Sequence, residues 1–255
     1  MKDRKLIKKP LPDGNDFLIP EDMGFETDEI EKEINEIYSH DHSHFYESYY
    51  PIEEGMTVVD AGAYTGLFTL KASKKVGSEG KVIALEPYPP SFKVLKLNVE
   101  QNGCENVHLI NEGLSNTDST KRMKVGDWNI GASILRTNKD EDLKKNPLKS
   151  IFQRLISFYR LATSREILKA NFTTLDHLID RLGIEKIDYL KMDIEGHEVD
   201  ALNSYTKFSD GDVVIVETHR NLEEVLYMLC KKGFSIDNIH ITPINESNSI
   251  IHSKF

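Results

Sequence analysis

The amino-acid sequence predicts an α/β fold with a doubly wound, mainly parallel sheet of seven strands and helices on both faces. Short apolar runs typical of buried parallel strands alternate with segments of helical periodicity between residues 57 and 231. Repeated strand–helix–strand units of this kind form a parallel sheet, because each helix returns the chain to the end of the sheet at which the previous strand began. The last two strands have no helix between them, which predicts an antiparallel C-terminal hairpin.

The predicted elements follow one another in a regular order. The first three strands are predicted at Thr57–Ala61, Lys81–Leu85 and Val107–Ile110. The two helices between them are predicted at Leu67–Lys75 and Ser91–Asn102. After an interruption the alternation resumes, with helices at Leu175–Leu182, Val199–Tyr205 and Leu222–Lys231. The fourth and fifth strands are predicted between them, at Ile187–Met192 and Val213–Val216. The two closing strands are predicted near Phe234–Ile241 and Ser249–His252. Glycines and prolines punctuate the boundaries, as expected where the chain must turn.

The composition excludes several classes of protein. The 255 residues include 32 Lys and Arg against 42 Asp and Glu, a formal net charge of −10. This excludes a general nucleic-acid-binding protein, which needs basic surface to displace phosphate counterions. Two cysteines are too few for a disulfide framework or a thiolate zinc site. No apolar run approaches the ~18 residues of a transmembrane segment, and residues 1–10 lack the apolar core of a signal peptide. We therefore expect a cytoplasmic protein.

A glycine loop follows the first predicted strand, which ends in Asp60-Ala61-Gly62-Ala63-Tyr64-Thr65-Gly66. Ligands of such sheets bind at the carboxyl ends of the strands. Gly62 and Gly66 allow a tight turn and a close approach of a ligand to the backbone. The next strand ends in Glu86, and a carboxylate there can accept hydrogen bonds from both hydroxyls of a ribose.

The charge of this loop distinguishes between two kinds of cofactor. A dinucleotide site needs G-x-G-x-x-G, because its pyrophosphate binds bare amides at a helix N-terminus. This loop has G-x-x-x-G, and Asp60 would repel pyrophosphate. The acid suits a ligand with an ammonium or sulfonium group, such as S-adenosylmethionine, with Asp60 either ordering the loop or reaching the amine. A nucleotide-dependent oxidoreductase is the disfavoured alternative.

Several segments together resemble a known family. The loop looks like the first motif of class I S-adenosylmethionine-dependent methyltransferases, and over residues 50–240 the chain resembles their FkbM family. The most specific segment is Lys191-Met192-Asp193-Ile194-Glu195-Gly196-His197-Glu198, which fits the pattern K-x-D-x-E-G-x-E. The other segments are Asp60–Gly66, Ala84–Pro87, Asn98–Gly103, Asn111–Ser115 and Thr173–Asp176. The resemblance implies a Rossmann-like methyltransferase fold and methyl transfer, usually to a hydroxyl of a sugar or natural product.

A second group of acids is predicted beside the glycine loop. Asp193 and Glu195 are two residues apart after the fourth strand, so their side chains share a face where the chain is extended. Glu217 and His219 repeat this spacing at the end of the neighbouring strand. These four residues are one candidate set of ligands for a divalent metal. A metal-free site is favoured, because no Asp-Asp-Asn set typical of metal-dependent catechol-type methyltransferases is evident.

The favoured hypothesis assigns catalysis to this second group. Asp193, Glu195 and His219 are expected to bind and activate the acceptor, with His197 as an alternative general base, because an alcohol must lose its proton during methyl transfer. The FkbM family often has alanine in place of His197. A structural role at the N-terminus of the following helix is the alternative for Glu195 and Glu198.

The sequence thus predicts an S-adenosylmethionine-dependent methyltransferase that O-methylates a carbohydrate or a small natural product. A non-catalytic S-adenosylmethionine-binding protein is a further alternative. The glycines are expected at the methionine end, Glu86 at the ribose and Asn111–Gly113 at the adenine. Cofactor contacts are predicted for Asp60, Gly62, Ala63, Tyr64, Gly66, Glu86, Asn111, Glu112, Gly113 and Asp193.

The charge of −10 is unevenly distributed along the chain. Residues 1–50 are predicted to form an N-terminal extension whose short acidic helix has one isoleucine-rich face and one solvated face. Residues 51–255 are predicted to form the methyltransferase domain, including a basic helical insertion at 138–170. This insertion is interpreted as a cap beside the sheet, or alternatively as a lid that recruits an anionic or lipid-linked acceptor.

Overall fold

The computed structural model describes residues 5–21, 27–38, 46–125, 132–134, 166–245 and 247–255. The strands in this part are β1 (Leu6–Pro10), β2 (Asp16–Pro20), β3 (Thr57–Ala61), β4 (Lys81–Leu85), β5 (Val107–Ile110), β6 (Gly113–Leu114), β7 (Ser119–Val125), β8 (Ala132–Ile134), β9 (Glu166–Thr173), β10 (Tyr189–Met192), β11 (Val213–His219), β12 (Ile239–Pro243) and β13 (Asn248–Lys254). The helices are α1 (Thr27–Tyr38), α2 (Leu67–Val76), α3 (Pro89–Gln101), α4 (Leu175–Leu182), α5 (Glu198–Asn203) and α6 (Leu222–Lys232), and a short 3₁₀-helix spans Ile236–Asn238.

The central sheet has seven strands in the order β12-β13-β11-β10-β3-β4-β5. Strands β5, β4, β3, β10 and β11 are parallel, whereas β13 runs antiparallel to both β11 and β12. The predicted doubly wound sheet and its antiparallel C-terminal hairpin are therefore confirmed. The strand order reverses between β3 and β10, and ligands of such sheets bind in the crevice at this reversal.

Some predicted boundaries were wrong. Strand β11 was predicted to end at Val216 but continues to His219, so Glu217 and His219 lie at the strand end, as expected, and are part of the strand. Helix α3 begins at Pro89 instead of the predicted Ser91. Proline is well accommodated in the first turn of a helix, because backbone N–H groups there have no carbonyl partner within the helix. The predicted strand near Phe234–Ile241 begins with the 3₁₀-helix, and extended pairing starts at Ile239.

The N-terminal region packs against the central sheet. The face of α1 that carries Ile30, Ile34 and Ile37 is buried in the same cluster as side chains of β3 and α2. The β1–β2 hairpin, which the sequence did not predict, attaches to α3 through an amide side chain. Asn98 accepts a hydrogen bond from Leu18 N at 2.6 Å and donates one to Leu18 O at 3.0 Å.

A second sheet, also not predicted, lies beside the first with the order β6-β9-β7-β8. Its buried side chains include Met123 and Phe172. Of the predicted helical insertion at 138–170, residues 138–165 lie outside the described residues, and residues 166–170 belong to strand β9, so the helical prediction was wrong at this end. In the described part of the chain, no helix is long and apolar enough to cross a membrane.

Candidate active site

A cavity of about 240 Å³ lies at the carboxyl ends of β3, β4 and β10. The glycine loop and β4 form one wall, and the second sheet contributes apolar side chains to another. From the N-terminal region, Glu33 and Ile37 of helix α1 and Tyr46 line the cavity. The residues that line it include Glu33, Tyr46, Gly62, Ala63, Tyr64, Glu86, Gly113, Met123, Phe172, Lys191, Asp193, Glu195 and His197.

Glycine at position 62 is required by the packing of the loop on β10. Gly62 has φ +78, and a Cβ there would lie 1.8 Å from the carbonyl oxygen of Asp193. Both Gly62 N and Ala63 N donate hydrogen bonds to Leu85 O, at 3.0 and 2.9 Å. Gly66 has φ +99 and marks the start of α2, as predicted for a tight turn.

Asp60 is fully buried and does not line the cavity. Its carboxylate accepts hydrogen bonds from Thr69 Oγ1 at 2.6 Å and from Lys191 Nζ at 3.0 Å. Lys191 also donates to Gly62 O at 3.1 Å. Of the two roles that the sequence left open for Asp60, these contacts support ordering of the loop.

Glu86 lines the cavity at the end of β4 and is 7% exposed. Its two carboxylate oxygens accept hydrogen bonds from Tyr64 N at 2.9 Å and Tyr88 N at 2.7 Å. Tyr64, which donates one of these bonds, adopts a left-handed conformation, φ 50, that is uncommon for a residue other than glycine. Burial outweighs these bonds and raises the pKa of Glu86 to about 7.

The three predicted adenine-side residues lie in different environments. Gly113 lines the cavity, where a Cβ would lie 2.3 Å from the Phe172 ring. Asn111 does not line it, but its amide donates to Glu86 O at 2.7 Å and so holds the end of β4. Glu112 is directed away from the cavity into a bidentate ion pair with Arg181, at 3.1 and 2.7 Å. The structure therefore gives no support to Glu112 as a cofactor contact.

The predicted second group of acids converges on His219. The His219 Nε2 atom lies 3.8 Å from Asp193 Oδ1, 3.9 Å from Glu195 Oε2 and 3.8 Å from Glu217 Oε1. Ligand atoms of Asp193, Glu195 and His219 lie within 4.8 Å of one another, so these three can reach a single cation. Glu195 has φ 55, a strained conformation of the kind that concentrates at functional sites.

The charges of this cluster are mutually dependent. Burial alone would lower the pKa of His219, but four surrounding carboxylates outweigh burial and raise it to about 9. Burial and the charge of Asp193 raise the pKa of Glu217 to about 7. Burial also raises the pKa of Glu195. At neutral pH the unliganded cluster is therefore centred on an imidazolium ion.

Glu198 and His197 belong to the same turn but differ in role. Glu198 is fully buried and accepts hydrogen bonds from Gly196 N at 2.7 Å and Asn221 Nδ2 at 2.6 Å. These contacts support the structural interpretation of Glu198. His197 is 6% exposed and lines the cavity, and its Nδ1 atom lies 3.6 Å from Asp200 Oδ2.

Glu33, Lys191 and Tyr46 are among the lining residues that were not predicted from the sequence. Glu33 of α1 reaches the cavity, and Lys191 lies within it as the partner of Asp60. Tyr46 lines the cavity and donates a hydrogen bond to Glu217 at 3.1 Å, which connects the cavity to the carboxylate cluster. Only the lysine carries a sequence signal, since it begins the K-x-D-x-E-G-x-E segment.

A model of the methyltransferase FkbM domain matches residues 60–236, more than half of the chain. The chain therefore belongs to the FkbM methyltransferase family, and its sheet is that of class I methyltransferases. This assignment favours methyl transfer over the oxidoreductase alternative. Glu33 and Tyr46 lie outside the matched residues.

Individual relatives agree with the family assignment. Methyltransferase 1 of Beauveria bassiana (strain ARSEF 2860) is 26% identical over 191 residues, which cover 73% of this chain and 75% of that protein. Methyltransferase sdnD of Sordaria araneosa is 30% identical over 158 residues, which cover 57% of this chain and 58% of that protein. The crystal structure of M. jannaschii TYW2 in complex with AdoMet has a TM-score of 0.51 at 14% identity, covering 100% of this chain and 88% of that one. This last similarity concerns the fold alone.

Proposed function

We propose that this protein transfers the methyl group of S-adenosylmethionine to a hydroxyl group of a carbohydrate or small natural-product acceptor. One observation carries the proposal: Asp193 and Glu195 line the cavity and also contact His219. A polar cluster able to bind and deprotonate a hydroxyl therefore adjoins the cavity of a methyltransferase fold. When bound, S-adenosylmethionine supplies an electrophilic methyl group on a sulfonium ion.

The charges of the cavity fit this cosubstrate. Glu33 and Glu86 have pKa values raised to about 7, chiefly because they are buried with too little positive charge nearby. A ligand that carries a sulfonium and an ammonium group supplies the missing charge. Glu86 retains acceptor capacity for ribose hydroxyls, because each of its oxygens accepts only one backbone hydrogen bond. The apolar side chains of Met123 and Phe172 suit the adenine ring.

The acceptor is placed at the junction of the cavity and the cluster. Asp193 and Glu195 accept hydrogen bonds from its hydroxyl groups, and one of these carboxylates takes up the proton that the reacting hydroxyl loses. His219 is protonated at neutral pH and so acts as a charge partner for the carboxylates, not as the first proton acceptor. His197, which also lines the cavity, is the alternative base.

The proposed mechanism is metal-free, because Asp193 and Glu195 can themselves bind the acceptor hydroxyl and take up its proton. The imidazolium ion of His219 lies within 4 Å of Asp193, Glu195 and Glu217, the position that a divalent cation would otherwise take. Binding a cation there requires His219 to lose a proton that the surrounding carboxylates stabilise. If a metal binds, Asp193, Glu195 and His219 can reach it together, and Glu217 is the fourth ligand that the sequence suggests.

The proposal is tested by incubating the purified protein with methyl-labelled S-adenosylmethionine and panels of sugars, polyhydroxylated natural products and anionic or lipid-linked glycans. We expect label in a product whose mass spectrum locates the new methyl group on oxygen. Calorimetry with S-adenosylhomocysteine and NAD establishes the cosubstrate class, and tight binding of NAD alone would overturn it. Binding of S-adenosylhomocysteine without turnover on any panel would instead favour a non-catalytic binding protein.

A further inference from the structure

The structure leaves the ammonium group of the proposed cosubstrate without the acid that the sequence suggested for it. Asp60 is 0% exposed, and its carboxylate oxygens are hydrogen-bonded to Thr69 and Lys191. It also lies outside the cavity lining. A ligand in the cavity cannot reach this carboxylate unless the buried ion pair with Lys191 breaks.

Another carboxylate lines the cavity itself. Glu33 lines the cavity from α1, whose isoleucine face fixes the helix against the central domain. Among the described residues, none makes a hydrogen bond to the Glu33 carboxylate or an ion pair with it within 4.0 Å. Its charged neighbours are Asp193 and Glu36, which repel it, and Lys191, whose attraction does not offset burial. Within the described part of the chain, Glu33 is therefore a half-buried acid in the cavity without a paired cation.

We propose that Glu33 accepts hydrogen bonds from the ammonium group of S-adenosylmethionine, so that the N-terminal helix completes the cosubstrate site. This inference rests on the proposed function. It assigns a binding role to a residue outside the segment matched by the family model, residues 60–236.

Hydrogen-bonding capacity favours the ammonium group over the sulfonium group as the partner of Glu33. An ammonium ion has three N–H donors, and a charge-assisted hydrogen bond to a carboxylate is roughly twice as strong as a neutral one. A sulfonium ion has no such donor. A carboxylate pressed against it would also stabilise the ground state of the reaction, which gives no rate acceleration. Lys191 lines the same cavity and provides a cation for the ligand carboxylate.

The test measures binding rather than turnover, with three ligands and two variants. Calorimetry compares S-adenosylmethionine with S-adenosylhomocysteine and 5′-methylthioadenosine. S-adenosylhomocysteine lacks the sulfonium charge, and 5′-methylthioadenosine lacks both that charge and the amino-acid group. Glu33→Gln removes the charge and preserves the shape of the side chain. Glu31→Gln is the matched control, because Glu31 lies on the same helix but is exposed and outside the cavity lining.

We expect Glu33→Gln to weaken S-adenosylmethionine and S-adenosylhomocysteine binding equally, by about 10- to 100-fold, the range for a lost hydrogen bond to a charged group. Binding of 5′-methylthioadenosine should not change, and Glu31→Gln should match the wild type with all three ligands. Equal weakening of all three ligands would overturn the proposal, because Glu33 would then only support the cavity. Weakening of S-adenosylmethionine alone would also overturn it, by assigning Glu33 to the sulfonium group.

The wild-type protein separates failure of this inference from failure of the proposed function. If the wild type binds neither S-adenosylmethionine nor S-adenosylhomocysteine, the proposed function fails. If it binds both and Glu33→Gln binds them equally well, only the ammonium assignment fails. Thermal unfolding of unliganded Glu33→Gln at pH 8 verifies its fold, and we expect it to be at least as stable as the wild type because it buries no charge. Glu33→Asp, which keeps the charge on a shorter side chain, should weaken both ligands less than Glu33→Gln.

Discussion

Acidic side chains at the ends of β3 and β4 are held by several short hydrogen bonds, whereas those at the ends of β10 and β11 gather around His219 mainly through charge. Asp60 and Glu86 accept four hydrogen bonds of 2.6–3.0 Å, from Thr69, Lys191 and two backbone amides. Around His219, the carboxylates lie 3.7–3.9 Å away, beyond the length of a good hydrogen bond. The first region is preorganised to hold one ligand in one pose. The second region keeps polar groups available to bind the hydroxyl of the molecule that is methylated and to take up its proton.

Replacing Gly62 by alanine should have the largest effect, because it disrupts the preorganised region. The new Cβ would lie 1.8 Å from Asp193 O in a conformation that alanine rarely adopts. We expect a loss of about 3–4 kcal/mol in the free energy of unfolding, from overpacking and the strained backbone together. Binding of S-adenosylhomocysteine should be undetectable. Chemical denaturation and calorimetry measure the two effects.

Gly103→Ala is the control for the backbone term of this prediction. Gly103 also has positive φ, +62, but a Cβ there would contact nothing within 4 Å. It should cost only about 1 kcal/mol and preserve ligand binding. Equal effects of the two substitutions would show that the contact between the loop and β10 is not important.

Substitutions in the second region should separate turnover from binding. Asp193→Ala and Glu195→Ala should lower kcat by about 10²- to 10⁴-fold, the range for loss of acid–base assistance. The affinity of Glu195→Ala for S-adenosylhomocysteine should change little, because the cosubstrate carries no reacting hydroxyl. Steady-state kinetics and calorimetry on the same preparations measure the two quantities.

Near-normal turnover of both variants would contradict the catalytic assignment. Glu185→Gln is a matched control, since Glu185 is an exposed acid in the loop before β10 and lies outside the cavity. It should leave both kcat and affinity unchanged.

The regions also differ in how much of them the sequence predicts. Strand positions follow from local apolar runs, and the conformation of Gly62 follows from its place in a turn between β3 and α2. The partner of Asp60 does not, because Lys191 is 131 residues away and only the pairing of β3 with β10 brings them together. The same pairing places Asp193 beside the loop, which the strand order predicts once the fold class is known.

The features that were missed depend on tertiary packing. Glu33 is one of many acids on α1, and its burial follows from how the isoleucine face docks, which helical periodicity does not specify. The second sheet was missed because β6 has only two residues and β9 pairs with β7 across a long stretch of sequence. Residues 166–170 of β9 had been assigned to the end of the predicted helical insertion at 138–170.

The pH dependence of stability should reflect the charge held in both regions. The carboxyls of Glu33, Glu86 and Glu217 have folded-state pKa values raised from 4.5 to about 7. That of His219 is raised from 6.5 to about 9. In each case the folded state binds more protons than the unfolded state within that window, so the stabilisation present at low pH is lost as pH rises. The free energy of unfolding of the unliganded protein should therefore decline between pH 5 and pH 9.

Denaturant titrations at successive pH values measure this decline, and two variants assign its parts. Glu33→Gln should flatten the curve between pH 5 and pH 7, and His219→Gln should flatten it above pH 7. A ligand that carries two positive charges favours ionised carboxylates, so the stabilisation by saturating S-adenosylmethionine should grow from pH 6 to pH 8. Stability that rises from pH 5 to pH 9 would contradict the assigned direction of these shifts.

Removal of divalent cations should have the smallest effect. Because the imidazolium ion of His219 already offsets the charge of Asp193, Glu195 and Glu217, treatment with EDTA should leave turnover of the wild type unchanged. His219→Gln removes that internal cation and leaves the carboxylates to repel one another. Added Mn²⁺ should therefore raise the melting temperature of His219→Gln but not that of the wild type. Loss of wild-type turnover on chelation, with recovery on adding Mg²⁺ or Mn²⁺, would instead make this cluster a metal centre with His219 as a ligand.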